Sequence, residues 1–202
     1  MPHEPLILAF DTSAAHCAAA VLCGDRILAQ AHEEMAKGQA ERLFTQLEEM
    51  LCAAGAVWRD FDALAVGTGP GNFTGVRIAV SAARGLALSL GIPAHGVSAL
   101  EALAYGQELP VLASVDGRQG RVYLQRFGKA QEPAILADLA KLPDDLAAKG
   151  LRVVGYAADD IARRLDAVAA RACAPLAVAI ARVAAKRAPP QIRPAPLYLR
   201  PA

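Results

Sequence analysis

The sequence predicts an α/β protein of two lobes, each assembled in the order β-β-β-α-β-α. Three observations lead there. Residues 6–90 and residues 111–165 follow the same succession of apolar runs, turns and amphipathic stretches. The first strand of each half ends in a turn headed by aspartate, Asp11-Thr12-Ser13 in one and Asp116-Gly117 in the other. Hydrophobic residues make up 54% of the chain but aromatics only 5%, so both cores must be filled with Ala, Leu and Val. The 202 residues suffice for two small units that each bury a core. The boundary falls after Gly106, giving an N-terminal lobe 1–106 with a glycine-rich loop and a smaller C-terminal lobe 107–202 with a proline-rich tail.

The elements follow in order. Leu6-Ile7-Leu8-Ala9-Phe10 reads as a strand buried on both faces. Residues 16–22 and 26–31 are two more strands, joined at Gly24-Asp25. Residues 39–54 form an amphipathic helix: Ala40, Leu43, Phe44, Leu47, Met50, Leu51 and Ala54 make one apolar stripe, and Gly55 ends it. A strand over residues 63–66 enters the densest glycine cluster of the chain, Gly67-Thr68-Gly69-Pro70-Gly71-Asn72-Phe73-Thr74-Gly75-Val76-Arg77. The helix expected over residues 76–90 gathers Arg77, Ser81 and Arg84 on one stripe. Elsewhere it is apolar or small, with Gly75, Ala79, Ala83 and Ala87 in a row. Such a helix needs cover on more than one side. A sheet supplies one side; a neighbouring helix and a partner subunit are expected on the other, with pure core as the alternative.

Ser98 and Glu101 form a capping-box pair for a helix over residues 99–105. In the second half, strands are expected at 111–115, 121–127, 134–136 and 151–155, and helices at 139–149 and 158–165. Pro175 opens a last helix to about residue 187. Five prolines from Pro189 onward hold the tail extended.

Several chemistries lack support. A net charge of +1 does not mark a nucleic-acid binder in bulk. Cys17, Cys23, Cys52 and Cys173 show no C-x-x-C spacing and read as buried small residues rather than a zinc or disulfide set. His3, His16, His32 and His95 are isolated, so no His-x-x-x-His arm exists. The glycine cluster looks at first like a phosphate cradle. Yet no Gly-Lys-Ser/Thr follows it, Asn72 stands where a dinucleotide fingerprint needs glycine, and no Gly-x-Ser-x-Gly elbow occurs. Arg77, Arg84 and Arg118 are candidates for anion contacts, with ion-pair or surface roles open. The first residues lack a basic region and the apolar runs are cut by Arg77 and Arg84, or by Arg171, Pro175 and Arg182. A cytoplasmic protein without leader or membrane span is therefore expected.

Two copies of this element order, with acidic turns expected to face across a cleft, resemble the two-lobed actin-like, sugar-kinase and heat-shock ATPase superfold. In that superfold the Asp turns hold the phosphates and metal of ATP, and a Gly-Gly pair approaches the adenosine. No Gly-Gly pair occurs here. Asp11, Thr12, Ser13, Asp116, Gly117 and Arg118 are accordingly read as a vestigial nucleotide or anion site, or as turn formers, and not as catalysts.

Longer motifs carry a more specific resemblance. Leu8-Ala9-Phe10-Asp11-Thr12-Ser13, with Cys17 and Ala19, is similar to the opening of the TsaB (YeaZ-like) family. Gly69-Pro70-Gly71-Asn72-Phe73-Thr74-Gly75-Val76-Arg77 resembles that family's Gly-Pro-Gly-Ser-Phe-Thr-Gly-Leu/Val-Arg signature. Gly85-Leu86-Ala87, Gly96-Val97-Ser98-Ala99-Leu100, Asp116-Gly117-Arg118 with Val122-Tyr123, and Pro196-Leu197-Tyr198-Leu199-Arg200 continue it. The resemblance implies a non-catalytic relative of TsaD, the transferase that places a threonylcarbamoyl group on N6 of a tRNA adenosine. It also implies pairing with a TsaD-type transferase through the first-lobe helices, a homodimer when alone, and a TsaE-type ATPase in the complex. Contact with tRNA would be indirect, with no cofactor and no metal. Where TsaD carries its metal-binding histidines, this chain reads Gln39-Ala40-Glu41-Arg42-Leu43. Leu43, Phe44, Leu47, Phe73, Gly75, Arg77, Ala79 and Ala83 are the expected interface residues. The competing reading is an enzyme of the same superfold, a nucleotide-dependent phosphotransferase or a glycoprotease-like peptidase.

Overall fold

A computed structural model of the chain describes residues 4–129 and 132–199. His3 and Arg200 lie outside the described residues. The chain divides into two compact units. One runs to Ser98 and takes back Pro175–Leu197; the other is Ala99–Ala174 with Tyr198 and Leu199.

The first unit is a five-stranded sheet in the order β3-β2-β1-β4-β5. Its strands are β1 (Leu6–Asp11), β2 (His16–Cys23), β3 (Arg26–Glu34), β4 (Ala63–Gly67) and β5 (Ala94–Val97). β1 to β3 are antiparallel; β1, β4 and β5 are parallel. Helices α1 (Gln39–Ala54) and α2 (Phe73–Leu90) cover one face. Their Leu43, Leu47, Leu51, Val76, Ala79, Val80 and Ala83 pack on Leu8, Phe10, Cys17, Ala19, Val21, Leu64 and Val66. The alternate residues Ala9, Ala18 and Ala20 are equally buried, and the last helix of the chain packs on β1 and β2. This explains why β1 is apolar at consecutive positions: it is covered on both sides.

α2 is, by length and composition alone, apolar enough to cross a membrane, with a mean hydropathy of 1.2 over 18 residues. It is seated on the sheet through Gly75, Val76, Ala79, Val80 and Ala83, and its outer face is left exposed. The helix begins at Phe73, three residues before the expected start. Asn72 caps it, its side-chain oxygen accepting from the N–H groups of Thr74 and Gly75 at 3.0 Å each.

The second unit has the sheet order β10-β9-β6-β7-β8. Its strands are β6 (Val111–Arg118), β7 (Arg121–Phe127), β8 (Ile135–Asp138), β9 (Arg152–Gly155) and β10 (Val168–Ala170). Helix α3 (Ala99–Ala104) covers one face through Leu100, against Val111, Ala113 and Val154. Helix α4 (Ala158–Arg164) covers the other through Ile161 and Ala162, against Leu112, Val122, Leu124 and Val153.

Three expectations are corrected. The helix expected over residues 139–149 is a single 3-10 turn, Asp144–Leu146. Pro143 holds extended backbone at ψ 136°, and the Asp138 side chain draws in the N–H of Ala140 at 2.8 Å, so no helix propagates there. Strand β10 was not foreseen; three small residues give too short a pattern. Helix α5 (Leu176–Ala185), placed by the linear reading in the second lobe, belongs to the first unit. Its Ala177, Val178, Ala179, Ile180 and Ala181 are all buried, which reflects its place on the first sheet.

Candidate functional site: the glycine loop and the helices beside it

β1 delivers Asp11 to the end of the first sheet, fully buried. Its Oδ1 accepts from the N–H of Ser13 at 2.9 Å and from Ser13 Oγ at 2.8 Å, and lies 2.7 Å from His16 Nε2. Oδ2 has no hydrogen-bond partner and faces Gly67. Thr12 Oγ donates to the Gly75 carbonyl at 2.7 Å, and the Ser13 carbonyl accepts from Asn72 N–H at 2.6 Å.

The glycine loop rests directly on this turn. A Cβ at Gly67 would lie 1.7 Å from Asp11 Oδ2; at Gly71, 2.2 Å from the Ser13 carbonyl oxygen; at Gly75, 1.9 Å from the Thr12 carbonyl oxygen. Gly71 and Gly75 meet the backbone of the neighbouring turn and Gly67 meets its Asp11 carboxylate, so none of the three positions has room for a Cβ. Gly69 adds the left-handed φ of +82° that bends the loop. The glycine motif was expected to launch close packing against another subunit. The close packing it makes is inside the lobe.

This geometry also answers the phosphate-cradle reading. The N–H groups of Thr74 and Gly75 bind the Asn72 side chain, and those of Asn72 and Val76 bind the carbonyls of Ser13 and Asn72. Donors that would meet an anion at a helix start are occupied by the protein itself. A serine nucleophile fares no better. Ser13 Oγ gives its proton to the same Asp11 oxygen that His16 meets, so the histidine is not placed to take it.

Asp116, in the second unit, is exposed, and its Oδ1 accepts from Arg118 N–H at 2.8 Å. Asp11 with Ser13 and Asp116 with Arg118 thus form the same side-chain turn in both halves. Arg118 adopts φ 60° in a tight hairpin, and a Cβ at Gly117 would meet Arg121 at 2.9 Å.

The expected interface residues divide into two groups. Leu43, Leu47, Ala79 and Ala83 are 0% exposed and Gly75 is buried, so they are core residues, which corrects their assignment. They point inward because the sheet claims the most apolar stripe of each helix. Phe44 is 48% exposed, Phe73 is 53% exposed, and Arg77 is also at the surface. The Arg77 guanidinium stacks 3.7 Å over the Phe73 ring. α1 and α2 pack side by side, so both phenylalanines belong to one helical layer.

Arg42 fixes that layer to the sheet edge. It pairs with Glu33 on β3 and with Glu49 on α1, each at 2.7 Å. Hydrogen bonds from Arg42 hold the Glu49 carboxyl below its ordinary range. Gln39 donates to the Met35 carbonyl at 3.1 Å, and buried Gln46 donates to the Cys17 carbonyl at 3.1 Å. Among the described residues, no group of three or more His, Cys, Asp or Glu side chains is placed to hold a metal ion. Asn72 and His16 were missed as members of the site. Asn just ahead of an apolar helix is a readable cap signal, whereas His16 reaches Asp11 only through the β1–β2 pairing.

Comparison with known proteins agrees with these features. Residues 26–165 match the family model described as TsaD: tRNA N6-adenosine threonylcarbamoyltransferase. The chain is 38% identical over 127 residues to the tRNA threonylcarbamoyladenosine biosynthesis protein TsaB of Escherichia coli (strain K12), covering 60% of this chain and 54% of that protein. It is 38% identical over 120 residues to TsaB of Bacillus subtilis (strain 168), covering 58% and 52%. The chain thus matches about half the length of these curated relatives. YeaZ from Pseudomonas aeruginosa superposes with a TM-score of 0.76 at 28% identity, covering 96% of this chain and all of that one. Component A of (R)-2-hydroxyglutaryl-CoA dehydratase from Acidaminococcus fermentans, at 12% identity and TM-score 0.56, shares the fold alone. The chain belongs to the TsaD family that the model describes, and within it to the TsaB/YeaZ members.

Proposed function

We propose that this protein is a non-catalytic subunit of the apparatus that forms N6-threonylcarbamoyladenosine in tRNA, and that it pairs with a TsaD-type transferase. The observation that carries the reading is the outer face of the α1–α2 layer. It leaves Phe44 and Phe73 about half exposed, with Arg77 stacked on the latter, on helices whose other faces are already used by the core. Aromatic and arginine side chains at such a surface are the usual anchors of a protein interface. The Thr12 hydroxyl and the Ser13 carbonyl, both engaged by the glycine loop, support a non-catalytic role. In this reading the same face pairs two copies when the transferase is missing, a TsaE-type ATPase joins the pair, and the complex works in the cytoplasm. The test is depletion of the protein followed by nucleoside analysis of tRNA, with co-purification of a TsaD-type protein. Loss of threonylcarbamoyladenosine and recovery of that partner are expected. Normal levels of the nucleoside and no such partner would contradict the proposal.

A further inference from the structure

Charge is unevenly divided along the chain. The first 166 residues carry 15 Lys and Arg against 20 Asp and Glu; the last 36 carry six cations and no acid. Four of those six, Arg182, Lys186, Arg187 and Arg193, lie in the segment Pro175–Leu197 that returns to the first unit. Past α5, this segment runs along the edge of the first sheet. Arg187 Nη1 donates to the Gly96 carbonyl at 2.9 Å, Pro194 covers Gly96, and Leu197 N–H donates to the Thr68 carbonyl at 2.8 Å.

Between this strap and the C-terminal end of α2 is a groove of about 270 Å³. Arg84 on α2 and Arg193 on the strap both line it, with Leu88, Ile92, Ile192 and the prolines 93, 190 and 194 as its apolar wall. None of its lining residues is acidic. Both arginines are exposed, and neither has a salt bridge or hydrogen bond among the described residues. Leu88 is 73% and Ile192 82% exposed. The end of α2 contributes a partial charge of about −0.5, which two full positive charges outweigh.

We propose that this groove is an RNA contact, taking one nucleotide unit with its phosphate between Arg84 and Arg193 and its sugar and base against the apolar wall. A guanidinium pair supplies forked donors to phosphate, and each guanidinium plane can also stack on a base. The groove is smaller than most small-molecule pockets, which suits a single nucleotide of a strand better than a folded protein element. A segment that carries cations and no acids suits a polyanion, and a concave groove does not suit a flat lipid surface. The inference deepens the reading above, resting on tRNA as the substrate of the complex, and it replaces the expectation that contact with tRNA is only indirect.

The experiment measures binding of an unmodified tRNA transcript to the full chain by fluorescence anisotropy across a salt series, without the transferase. Polyglutamate and phosphatidylserine vesicles serve as the other polyanions. Removing both arginine contacts to that one phosphate with Arg84→Ala/Arg193→Ala is expected to weaken RNA binding about tenfold and to lower the log–log salt slope by about 0.7–0.9. Arg84→Lys/Arg193→Lys should retain most of that slope, and pairing with the transferase should be unchanged in Arg193→Ala, which leaves the outer face of α2 intact. An unchanged RNA affinity and slope in the alanine variant overturns the proposal. So does equal binding of polyglutamate or vesicles with the same dependence on the two arginines. Loss of transferase pairing in Arg193→Ala would overturn it too, by assigning the groove to the partner. Failure of the RNA result with pairing intact leaves the proposed subunit role standing.

Discussion

Gly75 and Gly85 lie on the same helix, yet adding a methyl group to each should have opposite effects. At Gly85 a Cβ meets nothing within 4 Å, so alanine contributes only its better helix propensity, about 0.8–1 kcal/mol in favour of the fold. At Gly75 the Cβ would lie 1.9 Å from the Thr12 carbonyl oxygen, a backbone atom that no rotamer change can move. Restoring normal contact requires the start of α2 to withdraw by more than an ångström. That movement strains the packing of Val76 and Ala79 and breaks the 2.7 Å bond from Thr12 Oγ to the Gly75 carbonyl. Overpacking of about 1–3 kcal/mol and a buried hydroxyl left unpaired at about 1–3 kcal/mol, less the propensity gain, give a net loss of roughly 1–5 kcal/mol. The chain has one tryptophan, Trp58, and it packs on the first unit's core. Urea unfolding followed by its fluorescence therefore reports the lobe in question. The midpoint should fall in Gly75→Ala and rise slightly in Gly85→Ala. Equal stability of the two variants would refute the claim that the glycine motif exists for contact with the Asp11 turn.

Ala83, fully buried, should not tolerate Ala83→Arg: the first lobe should unfold, seen as loss of the Trp58 signal, rather than lose a partner while remaining folded. The Cys17 thiol is pushed up to about 11 by burial, against an ordinary value of 9.0, so its contribution to stability is complete below pH 9 and is lost as the pH rises toward 11. Cys17→Ala should flatten that alkaline decline, and exposed Cys52 and Cys173 should react with a thiol reagent well before Cys17 does at neutral pH. Burial, and then the charge of Arg187, hold the His95 imidazole below its ordinary 6.5. The unfolded chain therefore binds that proton more readily, and stability should be held above pH 6.5 and fall as the pH drops below it. His95→Gln should reduce this acid loss in a urea series between pH 7 and 5.

Much of the fold was legible because its signals are local. The doubled aspartate turns, the apolar β1 and the amphipathic α1 each follow from residues a few positions apart, and Asp11 and Asp116 make matching turn hydrogen bonds, although the second half lacks the helix before its fourth strand. What was misread depends on contacts between distant segments. α5 looked like the end of the second half, but an alanine-rich helix with six buried residues fits wherever a sheet face is open, and the open face was on the first unit. The small residues of α2 were legible as a close-packing surface, but not what they pack against. Thr12 and Ser13 meet Gly71 and Gly75 only when β1 and β4 pair in parallel, which no periodicity reveals. The same fact separated the interface candidates: apolar stripe position alone could not distinguish buried Leu43 and Leu47 from exposed Phe44.

In the proposed pairing, the outer α1–α2 face binds the transferase. The most direct measurement is the affinity of the purified chain for a TsaD-type transferase by titration calorimetry, with Phe44→Asp/Phe73→Asp as the variant. Both side chains are at the surface, so the unfolding free energy read from Trp58 should stay within about 0.5 kcal/mol of the parent, as for ordinary surface substitutions. Removing two aromatic anchors at about 2 kcal/mol each or somewhat less should weaken binding by about 100-fold or more. An unchanged affinity in a folded variant would contradict pairing through this face.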